Sequence, residues 1–294
     1  MDGAIILDKP AGITSSGAVL RVRKLLDGEK VGHLGTLDPL ATGVLPLLVG
    51  RATRFSRFYL GHTREYVARI RFGWATTTYD ADGEPLSEPV PVDLEATQLE
   101  ALLEDFRGAV RQVPPPVSAK KVGGVPAYKR VRNHEPVDLK PLTVEIHELE
   151  LLAVEGPCAT ARCLCSAGTY IRSLAHDLGT RLGCGAHIAA LRRTQVGEFG
   201  IADSCTLESL KALQRQDRIR EALVSPLDLL PELPVERVDA VAASRIRQGR
   251  QFRASPFGRC SQARLVKAVD PEGRLLCLGK AVSPRLFHPF VVFR

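Results

Sequence analysis

The sequence predicts an α+β fold in two domains, and three observations carry that prediction. The chain has 294 residues, 45% of them hydrophobic, enough for a core of ordinary size divided between two units. Over residues 1–230, segments with period-two apolar alternation intersperse with segments at helical spacing. Leu230-Pro231-Glu232-Leu233-Pro234 then reads as a linker, and residues 235–294 form a compact run of short strands and turns, including Asp270-Pro271-Glu272-Gly273 and Pro284.

Gly3 to Leu7 is a short apolar strand closed by the turn residues Asp8-Lys9-Pro10-Ala11-Gly12. Thr14 caps a helix whose Val19, Val22, Leu25 and Leu26 recur at helical spacing, and Asp27-Gly28 stops it. Gly32 to Pro39 has no periodicity and reads as loop. Val44 to Val49 is a buried strand, followed by a helix through Phe55 and Phe58. Tyr66 to Phe72 alternates as a half-exposed strand with Arg69 and Arg71 on one face. Turn residues cluster from Thr76 to Pro91, which suggests a mobile loop or hairpin tip. An amphipathic helix follows with Leu94, Leu99, Leu102, Leu103 and Phe106 on one side, ended by Gly108. Strands are expected at 142–153 and 158–165. Helices are expected after Gly168-Thr169-Tyr170, with Ile171, Leu174, Leu178 and Leu182 aligned, and over Leu207 to Leu213.

Charge narrows the class of partner. Lys plus Arg number 40 against 33 Asp plus Glu, a formal +7 that favours a polyanion, RNA or DNA before an anionic membrane. The asymmetry is local. Residues 111–134 carry Arg111, Lys120, Lys121, Lys129, Arg130 and Arg132 with no acidic residue, and Ala240 to Val269 carry six arginines and Lys267 with none. No apolar run approaches the roughly 20 residues that span a bilayer, and the N-terminus does not read as a signal peptide, so a cytoplasmic location is expected. Seven cysteines, an odd number on a long chain, argue against a disulfide framework. Cys163-x-Cys165 with Cys184-x-x-His187 could supply four zinc ligands, but packed thiols are the better reading and no metal is expected.

The loop around Asp38 stands out on physical grounds. Gly32 and Gly35 let the backbone turn sharply, and Pro39 pushes Asp38 toward an extended conformation. The carboxylate therefore sits on a constrained loop before a buried strand, a usual place for a functional group. The stretch GHLGTLDPLATGVLPLLVG (32–50) resembles the catalytic motif of the TruB family of tRNA pseudouridine synthases. DKPAGITS (8–15), GTYIRSLAHDLG (168–179) and CGAHIAALRRTQVG (184–197) resemble further motifs of that family, in its order, and PPPVSAKK (114–121) another element.

The resemblance implies a mixed, largely antiparallel sheet flanked by helices, with a small C-terminal β-barrel of the PUA type. It implies cofactor-free isomerisation of uridine 55 in the tRNA T loop. Asp38 would be the catalytic aspartate, Arg172 its ion-pair partner and Tyr66 the ring against the target base. Tyr170 and Leu191 would line the uracil pocket, and His33 would fill the space the flipped base leaves. Lys9 falls in the first motif, with a role more structural than chemical, and is grouped with the RNA-contacting residues. Lys120, Lys121 and Arg130, in the basic stretch, would grip phosphates. The C-terminal domain would touch the acceptor end. A monomer acting without an obligatory protein partner is expected.

Three alternatives bear on this reading: a guide-RNA-dependent relative sharing GTLDP (35–39), a tRNA-folding chaperone, and a hydrolase using Asp38. Against the last, the sequence shows no second carboxylate beside Asp38, whereas a retaining glycosidase needs two. Arg172 is expected to keep Asp38 ionised, because a nearby cation lowers a carboxylate's pKa.

Overall fold

The computed structural model describes residues 1–118, 120–133 and 135–293. Strand β1 (Gly3–Lys9) leads into helix α1 (Ser15–Leu25), whose N-cap is Thr14 as expected: its hydroxyl accepts from the Gly17 amide at 2.9 Å. Arg23 and Lys24 occupy the last turn, where positive charge offsets the helix dipole. The chain continues through β2 (Val31–His33), β3 (Thr42–Val49), a 3₁₀ helix (Gly50–Phe58) and β4 (Arg64–Phe72). After α2 (Ala96–Glu104) and β5 (Gly108–Gln112) comes the hairpin β6 (Lys121–Val122) and β7 (Val125–Pro126), leading into α3 (Ala127–Arg132). Strands β8 (Leu142–Glu155) and β9 (Cys158–Cys165), helix α4 (Ile171–Arg181), strands β10 (Ala186–Val196) and β11 (Phe199–Gly200), and helix α5 (Leu207–Arg215) follow.

Nine of these strands form one sheet in the order β1-β3-β10-β4-β9-β8-β5, with β2 on β3 and β11 on β10. Every pairing is antiparallel except β3 with β10, where Thr42 and Gly43 meet Arg192 and Arg193. That single parallel seam brings the loop before β3 against a strand about 150 residues further along the chain. The seam is tight: a Cβ on Gly43, at φ +101°, would lie 2.1 Å from the Arg193 carbonyl oxygen. The segment 32–39 is not wholly loop, because Val31–His33 pairs with β3.

The C-terminal unit contains β12 (Val235–Arg237), α6 (Ala240–Arg247), β13 (Phe252–Arg253), β14 (Leu265–Val269), β15 (Leu275–Ser283) and β16 (Leu286–Val292). Its five strands are ordered β12-β14-β15-β16-β13. Among the described residues β12 and β13 pair with no further strand, so hydrogen bonding does not by itself close the five-stranded sheet.

The segment read as a linker starts from a buried anchor, Leu230, although Pro231 and Glu232 after it are exposed. Leu229 and Leu230 are fully buried in a core that also holds Phe55 and Tyr59 of the first unit and Leu278, Val291 and Phe293 of the second. Phe55 meets Phe293 edge-on at 5.6 Å, a contact worth about 1 kcal/mol beyond the area buried. Lys267, counted with the basic surface, is buried and donates to the Leu227 carbonyl at 2.8 Å.

Candidate active site

The loop carrying Asp38 is fixed from beneath by three side chains. Lys9, fully buried at the end of β1, donates to the carbonyls of Pro10 (2.9 Å), Ile13 (2.8 Å) and Pro39 (3.4 Å). Ser15 Oγ accepts from the Leu37 amide at 2.7 Å and donates to the Leu37 carbonyl at 3.0 Å. Arg193, buried in β10, donates to the carbonyls of Val44 (2.8 Å) and Gly35 (3.2 Å). The loop itself turns through Gly35, at φ +95°. These contacts satisfy buried carbonyls that would otherwise be unpaired, which makes the loop a rigid platform. Lys9 has no exposed surface, and its three bonds all go to the backbone of this loop and its neighbours, as the structural side of its expected role requires. Burial pushes its ammonium down to about 8, against the opposing pull of Asp38.

Asp38 and Arg172 meet as the sequence suggested. Arg172 Nε lies 2.9 Å from Asp38 Oδ2 and Nη2 lies 3.1 Å from Oδ1, a two-pronged pair. Arg172 projects from the first turn of α4 and is 6% exposed, while Asp38 is 37% exposed toward a cavity of about 250 Å³. That cavity is lined by Asp38, Arg64, Tyr66, Tyr170, Arg172 and Leu191, among others, with Lys120 at its edge. Its volume and its aromatic and aliphatic walls suit one flat ring. Gln112, fully buried, sets Tyr170 in place: its amide oxygen accepts from the Tyr170 amide at 3.0 Å, and its Nε2 donates to the Tyr170 carbonyl at 3.2 Å.

Two expectations need correction. A second carboxylate is present: Asp80 Oδ2 lies 3.3 Å from Arg172 Nη1, on the opposite side of the guanidinium from Asp38. No local pattern announces it, because it sits in the turn-rich segment 76–91. That segment is bridged antiparallel at Thr76–Pro85 and tied to β10 through Tyr79, Ala81 and Ile188, so of the two expectations the hairpin tip fits and the mobile loop does not. Asp80 is itself buried and lies behind Arg172, outside the cavity lining, so it cannot reach a substrate there. The other concerns the Asp38 pKa, which Arg172 lowers as expected but does not decide. Burial raises its carboxyl above the ordinary value, Arg172 pulls it down and Asp80 adds to the rise; the net direction is upward.

His33 lies on β2, half-buried, and is not part of the cavity wall. Burial and the Arg193 charge lower its pKa, which leaves the ring neutral near pH 7. Lys120 and Lys121 are exposed, as a phosphate-gripping role requires. Arg130 differs, being paired with Glu135 at 3.2 Å, one residue past the acid-free stretch. Of that stretch, Ala119 and His134 lie outside the described residues. Cys163 and Cys165 are buried side by side in β9.

A family model described as "TruB family pseudouridylate synthase (N terminal domain)" matches residues 23–171. One described as "tRNA pseudouridylate synthase B C-terminal domain" matches residues 172–231. A protein of Solibacter usitatus (strain Ellin6076) named tRNA pseudouridine synthase B is 51% identical over 292 residues, covering 99% of this chain and all of that protein. A namesake from Stutzerimonas stutzeri (strain A1501) is 45% identical, covering 97% of this chain and 95% of its own. Among solved structures, a chain from an H/ACA RNP bound to a substrate RNA containing 2′-deoxyuridine superposes with a TM-score of 0.72. It is 26% identical and covers 99% of this chain and 85% of its own. A chain from an archaeal box H/ACA sRNP Nop10-Cbf5 complex gives a TM-score of 0.70 at 27% identity, with coverage of 99% and 86%.

Proposed function

The chain belongs to the TruB family of pseudouridylate synthases, and from that premise we propose that it isomerises uridine 55 in the T loop of tRNA, with Asp38 as the catalytic carboxylate. The observation that carries this reading is the two-pronged Arg172–Asp38 pair on the wall of a cavity of about 250 Å³ shaped for a single base. In the reaction the bond from ribose C1′ to uracil N1 breaks and one from C1′ to C5 forms. The C5 proton leaves and N1 gains a proton. No atom is consumed and no electron is transferred, so the chemistry calls for no cofactor.

A uridine inside a folded arm must leave its stack to reach this cavity. Tyr66 and Leu191 then sandwich the ring, Tyr170 closes the side, and the neutral His33 imidazole fills the gap in the RNA. Water is held away from C1′ by these walls, which favours return of the uracil over hydrolysis. Asp38 serves as nucleophile at C1′ or as base at C2′. Deuterium at C2′ separates the two, since only proton removal is slowed by it. Lys120 and Lys121 hold phosphates, and the C-terminal unit, a PUA-type module, reaches toward the acceptor end. The protein acts in the cytoplasm as a monomer, without guide RNA or partner.

The likeness to chains from H/ACA particles favours one second reading, guide-directed modification. The test is an unmodified T-arm stem-loop incubated with the protein alone, with pseudouridine mapped by chemical modification and primer extension. A single stop at the T-loop uridine, absent with Asp38→Asn, supports stand-alone action. Product that needs guide RNA and partner proteins refutes it, and tight binding without product under either condition leaves RNA chaperoning.

A further inference from the structure

Arg172 is held by more than Asp38. Its guanidinium also donates to the Thr78 carbonyl at 2.8 Å and pairs with Asp80 at 3.3 Å. Between those two residues stands Tyr79, whose φ of +65° is a left-handed backbone that a bulky side chain rarely adopts. The turn aims both neighbours at Arg172, while the Tyr79 carbonyl accepts from the Ile188 amide of β10 at 3.1 Å. Something must hold Tyr79 in this conformation. Its ring lies flat on the His176 imidazole, with centroids 3.8 Å apart and planes 7° from parallel. His176 is one helical turn beyond Arg172 on α4, on the same side of the helix. Neither ring lines the cavity, so neither touches a base held there.

We propose that Tyr79 and His176 are positioning residues for the isomerisation, their stack clamping the segment 76–91 onto α4 so that Thr78 and Asp80 hold Arg172 square to Asp38. The proposal rests on the function given above. It makes the ring contact the joint between α4, which carries Arg172, and the segment that supplies two of its partners, Asp38 and the Val117 carbonyl (3.0 Å) being the others. The phenol is uncharged near neutral pH, and burial lowers the pKa of His176, so the two rings meet as neutral flat surfaces.

Two measurements on one set of variants test this: kcat and KM on the T-arm stem-loop, and the titration of the Asp38 carboxyl in the free protein by ¹³C NMR. Tyr79→Phe and His176→Phe retain two stacked rings and keep kcat within about twofold of wild type. Tyr79→Ala and His176→Ala lower kcat by about tenfold or more with KM little changed, the pattern of a misplaced catalytic group. Tyr79→Gly adopts the left-handed backbone freely but has no ring, and falls with the alanine variants. The double alanine variant is no worse than either single one, because both remove the same stack. The Asp38 titration moves in the alanine and glycine variants and stays in place in the phenylalanine ones. Wild-type kcat and titration in the alanine variants overturn the proposal, as does a fully active Tyr79→Gly. If the wild-type protein makes no pseudouridine, the function above fails and the titration alone decides the clamp.

Discussion

Replacing Lys9 with Met tests the platform beneath Asp38 through a signal that no surface lysine would give. The ammonium is fully buried and bonds three carbonyls. Each carbonyl left without its donor costs about 1–3 kcal/mol, while removing the buried charge relieves a penalty of similar size. At neutral pH the two effects oppose each other, so pH is the sharper lever. A fall from 10.5 to about 8 corresponds to about 3 kcal/mol, at roughly 1.4 kcal/mol per pH unit. Below pH 8 Lys9 is charged in both folded and unfolded chains and the full penalty applies. Between pH 8 and 10.5 the folded protein has released a proton that the unfolded chain still binds, so stability rises with pH. The thiols of half-buried Cys205 and of buried Cys260 and Cys277, pushed up to about 11, 12 and 12, act in the opposite sense above pH 9, but equally in both proteins. Urea unfolding of wild type and Lys9→Met from pH 7 to 10.5 should therefore show wild type gaining about 3 kcal/mol relative to the variant. Parallel curves would refute the argument, and a loss of tRNA affinity in Lys9→Met at pH 7 would return Lys9 to the RNA interface.

The remaining expectations concern the site and its RNA. Asp38→Asn abolishes product while tRNA affinity, resting on phosphates, stays within about tenfold by filter binding; affinity that falls in step with activity would deny that separation. Because burial raises Asp38, kcat/KM falls on the acid side at a pH above the ordinary carboxylate range, and Asp80→Asn, which removes a charge adding to that rise, moves the limb to lower pH. An unmoved limb would show that Asp80 has no electrostatic hold on the reaction. Charge reversal at Lys120 and Lys121 weakens binding and flattens its dependence on salt, the slope falling by about one for each phosphate no longer neutralised. An unchanged slope removes both from the interface.

The site was legible where chemistry is written in contiguous motifs. Asp38, Tyr66, Tyr170, Arg172 and Leu191, named from the family resemblance, line one cavity. Helix and strand positions followed from periodicity, and Thr14 was readable as a cap because a hydroxyl before an apolar-periodic run has one common use. What escaped was whatever depends on distant segments meeting. Asp80 lies in a turn-rich stretch whose local pattern says nothing of Arg172, 92 positions later. Gln112, Ser15 and Arg193 act through backbone carbonyls and amides, partners that carry no sequence signature. Glu135 stands one residue outside the acid-free window and claims Arg130. Leu229 and Leu230 sit among prolines that suggest a free linker, yet their burial is set by Phe55, Phe293 and neighbours far away in sequence.

The parallel seam between β3 and β10 has a consequence for synthesis. Arg193 must be in place before the Asp38 loop is braced from below, and the ribosome makes it 155 residues after Asp38. At about 5–20 residues per second, the loop spends roughly 8–30 s outside the exit tunnel without its brace. During that interval the nascent chain carries Asp38 but neither the strand that braces its loop nor the Leu191 wall of the cavity.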